Sequence, residues 1–238
     1  MKIALIGYGK MGQAIEAIAL QRGHEVVLKI SIDNVEENTI ENLRKADVAI
    51  EFTGPESAYE NIMRCIEAGV PVVSGSTGWL NKYESAKAAC TQHNGAMLYA
   101  SNFSVGVNIF FALNKKLASL MKSHPEYDVK MLEIHHTQKK DAPSGTAITL
   151  AEQILEEGGR KHRWVNQPSE KTDDLVILSE RIDPAPGTHV ITYASAIDDI
   201  EIRHTAHNRQ GFATGAVLAA EFLQNKKGIF SMGDVLGI

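Results

Sequence analysis

The chain has 238 residues, a net charge of -5 at pH 7 and a pI near 6.0. This charge balance offers no basic patch for nucleic acid or an anionic membrane, and no apolar run reaches membrane-spanning length. Hydrophobic residues make up 44% and charged residues 22% of the sequence, which is ordinary for a globular protein with one large domain or two small ones.

Two cysteines, Cys65 and Cys90, lie in helix-like segments. Their spacing matches no metal-binding motif, and a chain of this size needs no disulfide, so we expect reduced thiols in the core and no metal. Only four apolar residues follow Lys2 before the first glycine, which argues against a secretory signal. A cytoplasmic location is the expectation.

The N-terminal pattern is strand, glycine loop, helix, strand and acid. Residues 2–6 read as a buried strand, residues 11–20 as a helix and residues 24–32 as a second strand. In this context a GxGxxG loop predicts dinucleotide binding, with the acid accepting from the adenosine ribose. A glycine turn that serves only strand–helix packing is the alternative. The residues predicted to contact the cofactor here are Gly7, Tyr8, Gly9, Lys10, Met11, Gly12 and Asp33.

Three further strand patterns, at residues 47–52, 70–74 and 96–99, end in small polar turns. In open α/β sheets the ligand lies beyond the carboxyl ends of the strands, so these turns are expected to border the ribose and nicotinamide. Glycine and serine turns are also common at such positions without a ligand. Besides Thr53 and Gly54, the residues predicted at this edge are Gly75, Ser76, Thr77, Ala100, Ser101, Asn102 and Phe103.

The second half of the chain does not continue this strand–helix alternation. Residues 105–121 read as an amphipathic helix, residues 160–173 as a polar loop and residues 212–223 as a last helix. Strand patterns at 175–182, 189–196 and 200–206 are expected to join residues 129–134 in a mixed sheet. The residues predicted to face inward from the first helix are Ile109, Phe110, Leu113, Leu117 and Leu120.

The stretch from Glu133 to Ala147 is the densest in charged and polar groups. It runs from a strand pattern into a helix over residues 147–155, with Pro143 expected in the first helical turn and Asp141 or Ser144 as its cap. Backbone N–H groups of residues 144–146 would then bind an anion, while imidazole and ammonium groups nearby donate protons. The simpler alternative is an exposed charged loop.

This stretch, His-His-x-x-Lys-x-Asp-Ala-Pro-Ser-Gly-Thr-Ala, resembles the signature of the 4-hydroxy-tetrahydrodipicolinate reductase (dihydrodipicolinate reductase) family of lysine and diaminopimelate synthesis. Residues 204–216 are similar to its second signature, His-x-Ala-x-x-Arg-x-x-Phe-Ala-x-Gly-Ala. There Arg209 could brace the cofactor site or form a surface ion pair. His204 and His207 read more simply as structural groups.

The resemblance implies a reaction in which NADH or NADPH reduces a cyclic, conjugated imine dicarboxylate to tetrahydrodipicolinate. It implies that His135 is a proton donor or acceptor and that Lys139 donates the proton. It also implies that His136 and the backbone of Gly145 and Thr146 hold the substrate carboxylates, beside Ser144 at the helix start. Asp33 favours NADH because a carboxylate repels a 2′-phosphate, although Lys10 or Lys29 could reach one.

The resemblance further implies an α/β chain with a Rossmann-type parallel sheet (residues 1–105) and an α+β substrate and oligomerisation domain with a mixed sheet (residues 106–208). Residues 209–238 are expected to return to the first domain. The family is usually a homotetramer that packs these mixed sheets between subunits, with no nucleic acid or membrane partner. Residues 181–189 depart from the family's glycine-rich hairpin, which concerns subunit packing more than chemistry.

Two rival functions stay open on the sequence. One is another nicotinamide oxidoreductase of similar architecture, such as a homoserine or aspartate dehydrogenase, which lacks the run from Lys139 to Thr146. The other is a non-catalytic nucleotide sensor, which would bind cofactor without turnover and would not need His135 together with Lys139.

Overall fold

The computed structural model describes residues 1–208 and 210–238. These residues form two compact units: the first contains residues 1–105 and 210–238, and the second contains residues 106–208. Within the described residues, no helix is both long and apolar enough to cross a membrane. Arg209, named above in the second signature, lies outside the described residues.

The strands are short and are numbered in chain order. They are β1 (Lys2–Ile6), β2 (Glu25–Ile30), β3 (Val48–Glu51), β4 (Val72–Ser74), β5 (Ala96–Tyr99), β6 (Asp128–His135), β7 (Arg163–Val165), β8 (Asp174–Arg181), β9 (Gly187–Ala194), β10 (Asp199–Ala206) and β11 (Gly228–Phe230).

The helices follow the same numbering. They are α1 (Lys10–Gln21), α2 (Ile40–Leu43), α3 (Ala58–Ala68), α4 (Tyr83–Gln92), α5 (Val105–Met121), α6 (Gly145–Glu156), α7 (Gln210–Leu223) and α8 (Met232–Leu236), with 3₁₀ turns at Val35–Glu37 and Leu80–Lys82.

The first unit is built on a six-stranded sheet in the order β11-β5-β4-β3-β1-β2, in which every described pair is parallel. Its central strands are buried on both faces, as continuous apolar runs in a parallel sheet should be. Ile3 pairs with Val48, and Ile50 pairs with Val73. The predicted Rossmann-type sheet is therefore confirmed, and β11, which the sequence analysis did not anticipate, extends its edge.

Helices cover both faces of this sheet. On one face Ile3 and Leu5 pack with residues of α1 and α7, while on the other Ala4 and Ile6 pack with residues of α3 and α4. Cys65 and Cys90 are buried free thiols in the second of these layers, as expected. Burial raises the pKa of the Cys65 thiol, which keeps it protonated and inert.

The second unit is built on a five-stranded sheet in the order β10-β9-β6-β8-β7. The central strand β6 pairs parallel with β8 and antiparallel with β9, so the predicted mixed sheet is confirmed. Residues of α5 and α6 pack on one face of it, against Met131, Ile177 and Ile191. The parallel pairing of β6 with β8 matters for the site, because it brings the carboxyl ends of these strands to one edge.

The predicted inward face of α5 is wrong in part. Ile109, Leu113 and Leu120 are about half exposed, whereas Phe110 is buried as predicted and Leu117 is partly buried. A helix with apolar residues on most of its circumference does not reveal its core face by apolar spacing alone. The orientation follows the buried Asn114, whose amide donates to the Leu150 carbonyl at 3.0 Å and to the Gln153 side chain at 3.0 Å.

Two smaller expectations also fail. The predicted polar loop at 160–173 contains strand β7, which pairs with β8 through Arg163 and Asp174. Their side chains form an ion pair at 2.7 Å that supports this short edge strand. Pro143 precedes α6 instead of opening it, because the helix begins at Gly145 and Ser144 is its N-cap.

Candidate active site

The glycine turn after β1 has the geometry that a dinucleotide requires. Gly7 has a φ of +98°, and a Cβ there would lie 2.0 Å from the Phe52 carbonyl oxygen. A Cβ on Gly12 would lie 2.4 Å from the Gly7 carbonyl oxygen, so close packing of turn and helix needs that glycine. A Cβ on Gly9 would meet no atom within 4 Å. Of the three glycines of this turn, Gly9 is therefore the one that leaves space for a ligand.

A cleft of about 680 Å³ opens beside this turn, beyond the carboxyl ends of β1, β2 and β3. Its position is the one where open α/β sheets bind nucleotides, and its size suits a large ligand. It is lined by the glycine turn at Gly7 and Gly9, by the residues after β2 that include Asp33, and by the turn after β3. The residues that line it are Ile6, Gly7, Tyr8, Gly9, Ile30, Ser31, Ile32, Asp33, Val35, Asn38, Phe52, Thr53, Gly54, Glu56, Ser57, Asn61 and Arg64.

Of the charged groups near the cleft, Asp33 is exposed to a ligand, whereas Lys29 is already paired within the protein. Asp33 is exposed at the end of β2, and its backbone N–H donates to the Ser31 hydroxyl at 3.1 Å. Lys29 is already paired with Glu16 at 2.7 Å and lies 5.1 Å from the Tyr8 ring centroid. The Tyr8 hydroxyl also donates to Glu16. One of the two lysines considered for a 2′-phosphate is thus neutralised within the protein.

The remaining residues predicted at the cofactor do not line this cleft in the part of the chain that the structure describes. Gly75 packs so tightly that a Cβ would lie 2.2 Å from the Phe52 ring, and the buried Phe103 ring lies 5.5 Å from the same ring. These two residues pack against Phe52 and so support the turn after β3. The predicted residues outside the cleft lining are Lys10, Met11, Gly12, Gly75, Ser76, Thr77, Ala100, Ser101, Asn102 and Phe103.

A buried carboxylate that sequence reasoning missed ties these turns together. Glu51, the last residue of β3, is fully buried and accepts from the Ser74 hydroxyl at 2.6 Å and the Ser76 hydroxyl at 2.7 Å. It also accepts from the Thr53 N–H at 2.9 Å and the Thr53 hydroxyl at 2.5 Å. Charge-assisted hydrogen bonds of this kind are strong, so Glu51 holds the ends of β3 and β4 in register beside the cleft.

In the second unit, the start of α6 presents two N–H groups. The Ser144 hydroxyl accepts from the Ala147 N–H at 3.2 Å, and the Ser144 carbonyl accepts from Ile148 at 2.9 Å. The N–H groups of Gly145 and Thr146, in the first turn, have no carbonyl within the helix. They form an anion-binding end aided by the helix dipole.

Ser144 itself faces the protein. It is buried, its N–H donates to both carboxylate oxygens of Glu133 at 3.1 Å, and its hydroxyl lies 3.2 Å from the His189 Nε2 atom. The expectation that the Ser144 N–H would point outward for an anion is therefore replaced by a positioning role. Asp141, the other expected cap, forms an ion pair with Lys139 instead.

Glu133 is the charge around which this region is organised. It is fully buried and accepts from the Ser179 hydroxyl at 2.7 Å and from the Arg181 guanidinium at 3.2 Å, besides the Ser144 N–H. Burial alone would raise the pKa of Glu133, but the His135 imidazole and the hydrogen bonds from Ser144 and Ser179 outweigh it and hold the pKa well below its usual range. Glu133 is thus an anion throughout the physiological range.

Two histidines lie against this anion. The His135 Nδ1 atom is 3.3 Å from a Glu133 oxygen but lacks hydrogen-bond alignment, and the His135 ring lies 5.2 Å from the His189 ring. Burial lowers the pKa of His189 to about 4, and the nearby His135 adds to that effect, so His189 is neutral at pH 7. A Cβ on Gly187 would lie 3.0 Å from the His135 Nε2 atom. His135 is therefore nearly buried and closely fitted.

Donor atoms of Glu133, His135 and His189 lie within 4.8 Å of one another, which resembles the spacing of metal ligands. The Arg181 guanidinium is 3.2 Å from the same carboxylate. A metal ion beside Glu133 would therefore meet an existing positive charge at short range, which disfavours it. The cluster reads better as a polar network than as a metal site.

The groups that reach solvent come from the loop of residues 136–143. The Lys139 ammonium lies 2.9 Å from both carboxylate oxygens of Asp141, and its side chain is 22% exposed. The hydrogen bond from Lys139 is the main cause that lowers the pKa of Asp141. His136 is half-buried and Lys140 is exposed. The loop thus carries the Lys139 and Lys140 ammonium groups and the His136 imidazole, and it leads directly into the first turn of α6.

Two residues hold this loop, the last residue of β8 and a residue of the turn between β8 and β9, and both were missed as site residues. Arg181 donates to the Asp141 carbonyl at 2.6 Å, and Asp183 accepts from the Thr137 N–H at 3.1 Å and the Thr137 hydroxyl at 2.6 Å. The available signal was their position at the carboxyl end of the β8 strand pattern, because His135, at the end of β6, pairs in register with Arg181. Parallel strands end at one edge, but the parallel pairing itself was not predicted.

His204, in the second signature, lies on β10 with its ring 5.9 Å from the Phe110 ring. Burial lowers the pKa of His204, so it is a neutral packed group at pH 7. This placement agrees with a structural role.

Taken together, the glycine turn, the cleft beyond the parallel strands and the cationic loop of the second unit define a nicotinamide-dependent oxidoreductase. The open space at Gly9 and the lining at Asp33 fit the pyrophosphate and ribose of such a cofactor. The cofactor would supply the hydride, while the protein holds and orients the reactants.

Comparison with known proteins identifies the family. The sequence models "Dihydrodipicolinate reductase, N-terminus" and "Dihydrodipicolinate reductase, C-terminus" match residues 1–103 and 106–236. The chain is 51% identical to the 4-hydroxy-tetrahydrodipicolinate reductase of Christiangramia forsetii, over 99% of this chain and 98% of that protein. It is 37% identical to that of Methanosarcina barkeri, over 97% and 82%. The chain therefore belongs to the dihydrodipicolinate reductase family.

A solved structure agrees. The dipicolinate-bound dihydrodipicolinate reductase from Paenisporosarcina sp. TG-14 superposes with a TM-score of 0.78 at 25% identity, covering 97% of each chain. The fold class and the family resemblance predicted from sequence are confirmed. The chain is an NAD(P)H-dependent oxidoreductase of this family, and the rival of a non-catalytic sensor is set aside.

Proposed function

We propose that this reductase converts a cyclic, conjugated imine dicarboxylate to tetrahydrodipicolinate, adding a hydride at ring carbon C4 and a proton at C3. The observation that carries the proposal is the loop of residues 136–143 followed by the start of α6. Within eleven consecutive residues it supplies an ammonium, an imidazole and two N–H groups at a helix start, which is the donor set a dianionic substrate needs. The nicotinamide cofactor supplies the hydride.

The substrate carboxylates would bind to His136 and to the N–H groups of Gly145 and Thr146. The N–H groups belong to the first turn of α6, where Ser144 already caps the N–H of Ala147. Because its N–H donates to Glu133 and its hydroxyl accepts from Ala147, Ser144 holds the helix start in place beside these carboxylate contacts. The helix end contributes a fixed positive potential that costs no reorganisation when the dianion binds.

Lys139 would donate the proton. Its side chain is 22% exposed, and its ammonium lies 2.9 Å from the Asp141 carboxylate, which holds it in the loop at the surface. Donation by a positioned acid contributes roughly 10²- to 10⁴-fold to such a rate. His135 is nearly buried between Glu133 and Gly187, so we assign it proton exchange within the polar network as its part in the reaction.

For the cofactor, we propose that NADH is used at least as well as NADPH. Asp33 lines the cleft and would accept from the ribose hydroxyls, whereas a 2′-phosphate would be repelled by it. Lys29 is paired with Glu16 and does not offset that repulsion. Lys10 is exposed and is the remaining cation of the turn. A kcat/KM ratio strongly in favour of NADPH would overturn this preference.

We further propose that the first unit binds the cofactor, that the second binds the substrate, and that the chain forms a cytoplasmic homotetramer. Leu132 pairs by strand register with Leu178 and Val190 on the sheet face that points away from α5 and α6. Leu178 is 45% exposed and Leu132 is partly exposed, whereas Val190 is buried. An apolar sheet face of this kind needs cover, which a second subunit would provide. Light scattering that gives a monomeric mass would contradict the tetramer.

The direct test is turnover. The purified chain is mixed with substrate made freshly from pyruvate and aspartate semialdehyde, and the loss of reduced-nicotinamide absorbance is followed with NADH and with NADPH. Consumption of cofactor that depends on the dicarboxylate is the expected result. Cofactor binding without any consumption would overturn the proposed function. Activity on homoserine or aspartate instead would support the rival dehydrogenases.

A further inference from the structure

Arg181 makes contacts that no other described side chain of this region combines. Its Nη2 atom lies 3.2 Å from a Glu133 oxygen and donates to the Asp141 carbonyl at 2.6 Å. Its Nε atom lies 3.4 Å from the Lys139 carbonyl, at the limit of a hydrogen bond. Only 20% of the side chain is exposed. One guanidinium thus joins a buried anion of the sheet to the main chain of the loop.

The loop of residues 136–143 needs such an anchor. It leaves the sheet at His135 and enters α6 at Gly145, so its carbonyls have no strand or helix partners. Within the described loop, the backbone supplies one turn, from the Lys139 N–H to the His136 carbonyl at 3.1 Å. The Lys139 residue is half-buried and the Asp141 residue is exposed, so water can solvate these carbonyls in other loop conformations. Donors fixed by Arg181, together with the Asp183 contact to Thr137, favour one conformation over those alternatives.

We propose that Arg181 is a positioning residue for Lys139: its guanidinium, fixed by Glu133, holds the carbonyls of Lys139 and Asp141 and so sets where the Lys139 ammonium points. The inference rests on the proposed function for the role of Lys139. It makes a residue 42 positions away in the sequence responsible for the geometry of the proton donor. The substrate and the cofactor do not need to contact Arg181.

The planar fork of arginine is essential to this role. It can face a carboxylate with one edge while its other N–H groups reach carbonyls in the same plane. A lysine at position 181 would keep the charge beside Glu133 but, as a single point donor, would not hold two carbonyls at once. Charge and geometry can therefore be separated by experiment.

The test compares Arg181→Lys and Arg181→Met with the same changes at Arg203. Arg203 is an exposed residue of β10 in the same sheet that also pairs with a glutamate, at 3.2 Å. We expect kcat to fall roughly 10- to 100-fold in both Arg181 variants, as for misplacement of a catalytic group. The Kd of NADH should stay unchanged in the Arg181 variants. Both Arg203 variants should keep the wild-type kcat. Arg181→Lys should keep the melting temperature, since Glu133 retains a cation.

Hydrogen exchange of the amides in residues 136–143 provides a second readout that does not need turnover. Exchange should rise in this loop in both Arg181 variants while the strands of the sheet stay protected. When the wild type turns over, the inference is wrong if kcat and loop exchange are both unaltered in Arg181→Lys, or if one changes without the other. If Arg181→Met does not fold, Arg181→Lys decides alone.

Failure of the proposed function would look different. A wild-type chain with no turnover on the dicarboxylate would overturn that function, while selective loosening of the loop in the Arg181 variants would still support the positioning role. A turning-over wild type with an unaffected Arg181→Lys variant would overturn only the positioning role.

Discussion

At the glycine turn of the first unit, the proposed cofactor meets main chain and empty space, whereas at residues 136–146 of the second unit the proposed substrate meets charged side chains. Gly9 contributes by having no side chain in a position where nothing else lies within 4 Å. Lys139 contributes an ammonium that must point correctly, and its loop is held by Arg181 and Asp183. The first region depends on close approach of backbone to backbone, and the second depends on contacts that fix charged side chains.

This difference predicts how substitutions separate the two regions. Changes in the glycine turn should alter cofactor binding and leave the chemistry of bound substrate intact. Changes in the loop should lower turnover and leave cofactor binding intact. The predictions below are ordered from the largest expected effect to the smallest.

Lys139→Ala should lower kcat by roughly 10²- to 10⁴-fold, because it removes the proposed general acid. The Kd of NADH, measured by its fluorescence, should not change, since the substitution lies in the second unit. Lys140→Ala is the matched control, because Lys140 is the adjacent, exposed lysine. Equal losses of kcat in the two variants would mean that the loop acts through its total charge. Undiminished turnover in Lys139→Ala would show that Lys139 is not the proton donor.

Gly9→Val should weaken NADH binding about 30-fold, which corresponds to about 2 kcal/mol. The added atoms occupy open space that the pyrophosphate needs, so the melting temperature should hold. Gly12→Val is the contrasting variant, since its Cβ would lie 2.4 Å from the Gly7 carbonyl oxygen and should lower the melting temperature. Calorimetric titration and thermal melts of both variants check this, and unaltered NADH binding by Gly9→Val would contradict the cleft assignment.

Gly145→Pro should raise KM for the dicarboxylate about tenfold, the loss expected for one charge-assisted hydrogen bond of about 1.5 kcal/mol. Proline at the first helical position removes one N–H and suits the helix, and a Cβ on Gly145 would meet no atom within 4 Å. The melting temperature should therefore not fall. Gly145→Ala keeps the N–H and is the control, so an equal rise in its KM would show that bulk, not the donor, matters.

His189 should make stability depend on pH. Its pKa is about 4 in the folded chain, against 6.5 for a free histidine, because burial and the nearby His135 disfavour the cation. As pH falls from 6.5 to 4, the unfolded chain binds a proton that the folded chain does not, so the free energy of unfolding should drop by up to about 3 kcal/mol. Above pH 6.5 this loss is absent.

Thermal melts across this pH range check the effect. His189→Gln should flatten the slope between pH 6.5 and 4, while His93→Gln, a change at an exposed histidine, should leave it in place. A slope of wild-type size in His189→Gln would assign the acid sensitivity to other groups, such as His204, whose pKa burial also lowers.

The sequence determined the features that rest on a few consecutive residues. The GxGxxG turn requires Gly12 by local sterics, because a Cβ there would lie 2.4 Å from the Gly7 carbonyl oxygen, and it requires Gly7 by its φ of +98°. The further clash at Gly7, with the Phe52 carbonyl oxygen, comes from a distant strand and is visible only in the structure. Ser144 at the start of α6 was readable because a cap depends on the next three residues. The separated strand patterns of the second half also predicted the mixed sheet of the second unit.

Tertiary structure alone decided which distant residues complete the site. The parallel pairing of β6 with β8 brings Arg181 opposite His135, and no periodicity of either strand encodes which strand will be its neighbour. For a similar reason, the rotation of α5 is fixed by the hydrogen bonds of Asn114, because the partners of Asn114 lie on α6. Strand order and helix rotation minimise the free energy of the whole unit, so they depend on contacts between segments that a local pattern does not contain.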